Sequence, residues 1–186
     1  MSKKKPIFVT FEGIEGSGKS YQCHKLYLNL KKRKIPVILT REPGGTELGI
    51  ALRQLLLKAS KDYAPEPLTE LLLYAADRAQ HISQIIQPAL DQGDWVLSDR
   101  FSGSTIAYQG HGRKLDINII EALETIATQG ISPDITLWLQ IEVEESLKRR
   151  KSNKNDRIEA EGKDFLEQVS SGFAVLAEKR NWITIS

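Results

Sequence analysis

A chain of 186 residues has the length of one domain and can bury a core of its own. Hydrophobic residues make up 40% and charged residues 27%, ordinary values for a soluble globular protein. A net charge of +2 gives no general reason to expect nucleic acid or an anionic membrane as partner. The one cysteine, Cys23, excludes an internal disulfide and offers no sign of an oxidising compartment. No apolar run approaches a membrane span. The opening MSKKKPIFVTFEG lacks the apolar core of a signal peptide, so a cytoplasmic location is the expectation. His24, His81 and His111 are scattered singly, without a second ligand at metal-binding spacing, and read as structural or surface residues.

IFVTF (Ile7 to Phe11) is short, apolar and β-branched, as a buried parallel strand should be. A glycine-rich loop follows, then a helix from about Gly18 to Arg33. IPVILT (Ile35 to Thr40) reads as a second strand, and REPGGT (Arg41 to Thr46) as a turn-rich loop. In the next helix Leu48, Ala51, Leu52, Leu55 and Leu56 fall at the spacing of one face. Pro65 and Pro67 break the chain. A helical pattern then runs from Leu68 to about Leu90, where Pro88 is expected to kink or shorten its end. WVLSD (Trp95 to Asp99) is a third strand that ends in an acid. DINIIEALETIAT is helical, ITLWLQ (Ile135 to Gln140) is a fourth strand, and VEESLKRR opens another helix. After the polar break KSNKND, a helix through Phe165 to Glu178 precedes a last apolar run, Trp182 to Ile185.

Strands thus alternate with helices along the whole chain, the pattern of an α/β fold whose parallel sheet, of about five strands, is covered by helices on both faces. Ligands on such sheets sit at the carboxyl ends of the strands. The segments after Phe11, Thr40, Ser98 and Gln140 are therefore the candidates for a site.

GIEGSGKS (Gly13, Ile14, Glu15, Gly16, Ser17, Gly18, Lys19 and Ser20) fits G-x-x-x-x-G-K-[ST] and stands between a strand and a helix, the context that this motif needs. Its glycines let backbone N–H groups turn inward around phosphate oxygens, and the helix behind it points its positive end at the anion. Lys19 reaches the β- and γ-phosphates of a nucleoside triphosphate, and Ser20 is placed to ligate Mg²⁺. Asp99, at the end of the third strand, suits a Mg²⁺-facing role, directly or through water. Asn153 to Asp156 spells the N-K-x-D of guanine readers. It does not emerge from a strand, and Asp99 is followed by RFSG where a GTPase would show D-x-x-G.

Five segments, in order, resemble the thymidylate kinase family of P-loop kinases, which phosphorylate dTMP. They are FEGIEGSGKS, TREPGGT (Thr40 to Thr46), LLYAADRAQHI (Leu72 to Ile82), SDRFSGSTIAYQG (Ser98 to Gly110) and DRIE (Asp156 to Glu159). The resemblance covers nearly the whole chain. It implies a single domain over 1–186 of the P-loop NTPase type with a short lid at about 148–158. It also implies ATP and dTMP as substrates, Mg²⁺ as cofactor, a homodimer, and no nucleic-acid or membrane partner. Tyr74 and Arg78, neighbours on one helix face, would stack on the pyrimidine and bond a carbonyl oxygen. Arg100 matches the family's phosphate-contacting arginine, with Arg53 a second candidate. Glu15, an awkward acid beside a triphosphate, would approach the sugar 3′-hydroxyl of the acceptor. Tyr108 would crowd the sugar 2′ position, and Ser104, Thr105 and Gln109 would line the same pocket. Because Gly16 follows Glu15, the resemblance assigns a catalytic arginine to the lid, from Arg149, Arg150 or Arg157, alongside Lys19 and Arg100.

The chain departs from the family where Tyr21 replaces a usual Thr, in a short lysine-rich lid, and in stopping soon after its last strand. The rival readings are a kinase of another deoxynucleotide or nucleoside on the same scaffold, and a nucleotide-binding module without transfer activity.

Overall fold

In the computed structural model, which describes residues 5–58, 63–150, 157–158 and 161–186 apart from the side chain of Arg150, β1 (Phe8–Glu12), β2 (Val37–Arg41), β3 (Trp95–Asp99), β4 (Ile135–Leu139) and β5 (Ile183–Ile185) form one sheet. The order is β2-β3-β1-β4-β5, and every pairing is parallel. β1 lies in the middle and is buried at all its positions, which is why FVTFE carries so little polar alternation. Phe11 pairs with Asp99 on one side and Leu137 on the other, and Arg41 also pairs with Asp99. The carboxyl ends of β1, β2 and β3 therefore finish at one edge.

Eight helices are described: α1 (Lys19–Lys32), α2 (Glu47–Lys58), α3 (Pro67–His81), α4 (Gln87–Gln92), α5 (Ser102–Thr105), α6 (Ile117–Thr128), α7 (Val143–Arg150) and α8 (Lys163–Lys179). Successive strand residues point to opposite faces. Val9, Phe11 and Leu97 pack with Cys23 and Leu30 of α1. Phe8 and Val96 pack on the other face with Ile82, Ile86 and Phe101. A further cluster joins Leu71 of α3, Ile120 of α6 and Phe173 of α8 around Tyr108. Helices cover both faces, as the alternation of elements requires.

Three local outcomes differ from the expectation. The helix from Leu68 to about Leu90 is α3, a π turn over Ile82–Ile86, and α4. The Gln87 N–H bonds back to the Ile82 carbonyl, and this wider turn lets the chain pass Pro88, which has no N–H to donate, without a break. In α2 the residues that fit one face are not buried together: Leu48, Ala51 and Leu55 are exposed, Leu52 is half-buried, and Leu56 is buried with Gly49. Gly49 sets the rotation of the helix: a Cβ there would stand 2.4 Å from Asp77 Oδ1, so the helix closes on α3 through its glycine. The segment read only as a motif, 102–112, is helical, α5 running into a π turn over Ile106–Gly112.

Cys23 is 1% exposed, and burial pushes its thiol up to about 12. Thiolate is the reactive form. Iodoacetamide at pH 8 should therefore label native Cys23 about 10³-fold more slowly than the urea-unfolded chain. Comparable rates would show that α1 does not seal this face of the sheet.

Candidate active site

The phosphate loop follows the buried strand β1 directly. Gly13 has φ 138°, and a Cβ on it would stand 2.6 Å from the Leu139 carbonyl. Gly18 enters α1 with φ 89°, a conformation that costs other residues strain. Lys19 folds back over the loop, where its Nζ donates to the Ile14 carbonyl at 2.7 Å. Its burial, then the nearby Arg100, lowers it to about 8. A phosphate bound in the loop would favour the ammonium form again.

Ser20 Oγ donates to Asp99 Oδ2 at 2.5 Å. A hydroxyl and a carboxylate meeting at a helix N-terminus are the hard oxygen donors that Mg²⁺ takes, with water completing the shell, so both residues fit the ion expected of them. α7 closes on the loop from the other side. Ser146 Oγ donates to the Glu15 carbonyl at 2.7 Å, and Arg149 Nη1 to the Gly16 carbonyl at 3.1 Å.

Glu15, Arg53, Tyr74, Arg78, Arg100, Ser104, Thr105, Tyr108 and Gln109, all the residues expected to hold the acceptor, line one pocket. Glu15 belongs to that pocket and to the phosphate loop, so the two binding regions share a wall. Arg53 Nη1 donates to the Pro43 carbonyl at 3.0 Å, which ties α2 to the loop after β2. Arg78 is deeply buried, between two acids. Its Nε donates to Glu42 Oε2 at 2.8 Å, its Nη2 is ion-paired with the same oxygen at 2.7 Å, and its Nη1 donates to Thr105 Oγ1 at 2.9 Å and to Glu124 Oε1. The remaining Nη2 hydrogen has no acceptor among the described residues. Burial works against both Arg78 and Glu42 as ions. Glu124 and then Glu42 nevertheless hold the arginine above its ordinary range, and Arg78 and His81 hold Glu42 below the usual carboxylate range. His81 Nδ1 lies 2.9 Å from Glu42 Oε1 and Nε2 2.6 Å from Thr40 Oγ1. A carboxylate only accepts, so Nδ1 carries a proton toward Glu42.

Arg100 takes φ 76°, unusual for a residue with a side chain, and several bonds hold it there. Its N–H donates to the Phe11 carbonyl at 3.0 Å. Its guanidinium donates to the Gly13 carbonyl at 3.0 Å, Ser104 Oγ at 2.9 Å, Tyr108 Oη at 3.4 Å and Glu15 Oε2 at 3.5 Å. Glu12, the acid that ends β1 just before the phosphate loop, underlies this arrangement. It is 1% exposed and accepts from the Phe101 N–H at 3.0 Å and Ser104 Oγ at 2.6 Å.

Of the lid candidates, Arg149 lies against the phosphate loop. Arg157 is held elsewhere: its Nη2 pairs with Glu70 and its Nε donates to the Leu56 carbonyl at 3.1 Å. The Arg150 side chain and residues 151–156, which include most of the expected lid and the N-K-x-D decoy, lie outside the described residues. Glu42 and Glu12 stood inside quoted motifs, a signal that could have found them. Glu70 and Glu124 carried none, because a helical glutamate reads as solvent-facing until the fold buries it.

A triphosphate loop and a separate pocket, joined at Glu15 on the carboxyl edge of a parallel sheet, define a P-loop phosphotransferase with two substrate sites. The thymidylate kinase family model matches residues 11–186. A thymidylate kinase of Prochlorococcus marinus (strain NATL2A) is 58% identical over 184 residues, covering 96% of this chain and 87% of that protein. One of Synechococcus sp. (strain CC9605) is 56% identical over 184 residues, covering 96% and 88%. The crystal structure of thymidylate kinase from Ehrlichia chaffeensis matches with a TM-score of 0.80 at 36% identity, covering 98% of this chain and 86% of that one. This chain belongs to the thymidylate kinase family.

Burial raises the Glu12 carboxyl from 4.5 to about 7, against the lowering effects of Ser104 and Arg100. A folded value above the unfolded one gives stability that is fully present below 4.5 and is lost as pH rises through about 7. Glu12→Gln cannot ionise. The stability of the native chain relative to that variant should therefore fall by on the order of 3 kcal/mol between pH 4.5 and 7.5. Parallel stability–pH curves in urea titrations would show that Glu12 does not titrate with folding.

Proposed function

We propose that this chain transfers the γ-phosphoryl group of ATP to dTMP, giving ADP and dTDP, as a nucleoside monophosphate kinase. The observation that carries the reading is the shared wall: Glu15 closes the phosphate loop and lines the acceptor pocket. An acceptor phosphate beside Arg100 would then face the γ-phosphorus of a donor held by Gly13 to Ser20, and positioning with charge stabilisation supplies the catalysis. Lys19 and Arg100 meet the charge from opposite sides. Ser20 and Asp99 would hold Mg²⁺, which when bound neutralises charge on the donor's phosphates. Tyr74 stacks on the pyrimidine, Arg78 donates its remaining N–H to a ring carbonyl, and Tyr108 crowds the 2′ position of the sugar. Thr105 and Ser104 complete the pocket, with Arg53 at its rim.

A lid over 148–158 supplies the arginine that meets the transferring phosphoryl group. The contact of Arg149 with Gly16 favours that end of the lid, Arg149 or Arg150, while Arg157 is occupied by Glu70. The whole chain acts as one domain. A homodimer accounts for the outward apolar faces, with Leu48, Ile50 and Leu55 on α2, Leu68 and Leu72 on α3, and Ile119 and Ile126 on α6 all exposed. No helix among the described residues is long and apolar enough to cross a membrane, and the reading is of a cytoplasmic enzyme acting on small molecules.

The test is ADP release with Mg·ATP and dTMP, dUMP, dCMP or thymidine in turn. Turnover should be highest with dTMP. A different best acceptor would favour another kinase on this scaffold, and nucleotide binding without any turnover would favour a non-catalytic module.

A further inference from the structure

Glu70 lies one helical turn before Tyr74 and two before Arg78, on the same face of α3. Its side chain is fully buried. Oε1 accepts from Gln109 Nε2 at 2.8 Å and from Arg113 Nε at 3.2 Å. Oε2 accepts from Arg113 Nη2 at 3.3 Å and from Arg157 Nη2. Toward these three side chains the carboxylate acts only as an acceptor. The Gln109 amide must therefore turn its NH₂ toward Glu70. That choice, ordinarily open for an amide, leaves Gln109 Oε1 on the opposite side. It has no hydrogen-bond partner among the described residues, in a side chain that lines the acceptor pocket.

We propose that Glu70 is a positioning residue for acceptor specificity, fixing Gln109 so that the pocket presents an acceptor beside the donor of Arg78. The inference rests on the dTMP reading of the pocket. A donor and an acceptor side by side match a pyrimidine with a carbonyl at C4 and an N–H at N3, the edge of thymine and uracil. Cytosine inverts both groups: its 4-amino group would meet Arg78 and its bare N3 would meet Gln109 Oε1. A site with buried polar groups rejects a ligand that leaves them unpaired. The pair does not read the 5-methyl group, so dUMP satisfies it as well as dTMP. Arg157 uses the same carboxylate, and its N–H donates to the Leu57 carbonyl at 3.1 Å. That places its neighbour Ile158 on the pocket wall. Glu70 thus orients one wall residue and seats another without touching the phosphate loop.

The test measures kcat/KM for dTMP and dCMP in Glu70→Gln. A glutamine at position 70 donates as well as accepts and frees the amide of Gln109 to turn over. The ratio of dTMP to dCMP should fall at least tenfold, with KM for ATP within twofold of the native value. In a Gln109→Leu background, Glu70→Gln should leave the ratio unchanged, because its effect runs through Gln109. Should Glu70→Gln fail to fold, Glu70→Asp serves in its place. It keeps the charge for both arginines but draws the oxygen away from Gln109, and it should shift the ratio in the same direction. A ratio within twofold of native in the single variant, or the same fall in the Gln109→Leu background, overturns the role of Glu70. A native enzyme that does not prefer dTMP to dCMP overturns instead the acceptor reading beneath it.

Discussion

Arg78, enclosed by Glu42 and Glu124, ties together parts of the chain that share no local sequence. Glu42 comes from the loop after β2, Arg78 from the last turn of α3, Glu124 from α6 and Thr105 from the helical segment after β3. An unpaired guanidinium at this depth would be very costly, and so would either acid alone. The only inexpensive arrangement brings all four segments to one place, and that place is the inner end of the acceptor pocket. The side chain that organises these four segments also lines the pocket, so the residue proposed to read the acceptor is a structural element as well. Among the described residues Glu124 Oε2 has no hydrogen-bond partner, and burial with the neighbouring Glu42 charge raises this carboxyl to about 6 despite Arg78.

The sheet supplies the other half of the site. β1, β2 and β3 end in register, so the phosphate loop, the loop containing Glu42 and the Asp99–Arg100 pair leave one edge together. Glu12 and Arg100 then join the two binding regions. Glu12 holds Phe101 and Ser104, Ser104 accepts from Arg100, and Arg100 reaches the loop at Gly13 and Glu15. Buried acids thus hold the cations of the acceptor site in fixed directions, as a preorganised site requires.

Much of this could be read from the residues because the phosphate chemistry sits at strand ends, where glycine, lysine and acid stand in fixed order. The strand–helix alternation conveyed the parallel sheet, and every residue assigned to the acceptor lines the same pocket. Periodicity gave α2 one apolar face but did not say what covers it, and Gly49 turns Leu48, Ala51 and Leu55 outward. Pro88 suggested a disrupted helix end, but the chain absorbs it with a wider turn upstream. Glu70 and Glu124 were illegible for a physical reason. Their burial depends on partners 39 to 87 residues away along the chain in the case of Glu70 and 46 in that of Glu124, and nothing in a helical window reports such pairing.

The central claim is that one edge of the sheet holds a donor triphosphate on Gly13 to Ser20 and a pyrimidine monophosphate against Tyr74 and Arg78. A crystal structure with a bisubstrate compound, adenosine joined to thymidine through a polyphosphate, tests it most directly. The account predicts the polyphosphate running from the phosphate loop past Arg100, with the thymine ring on Tyr74 and its edge facing Arg78 and Gln109. A thymine ring bound anywhere else, with the acceptor pocket left to solvent, would contradict it.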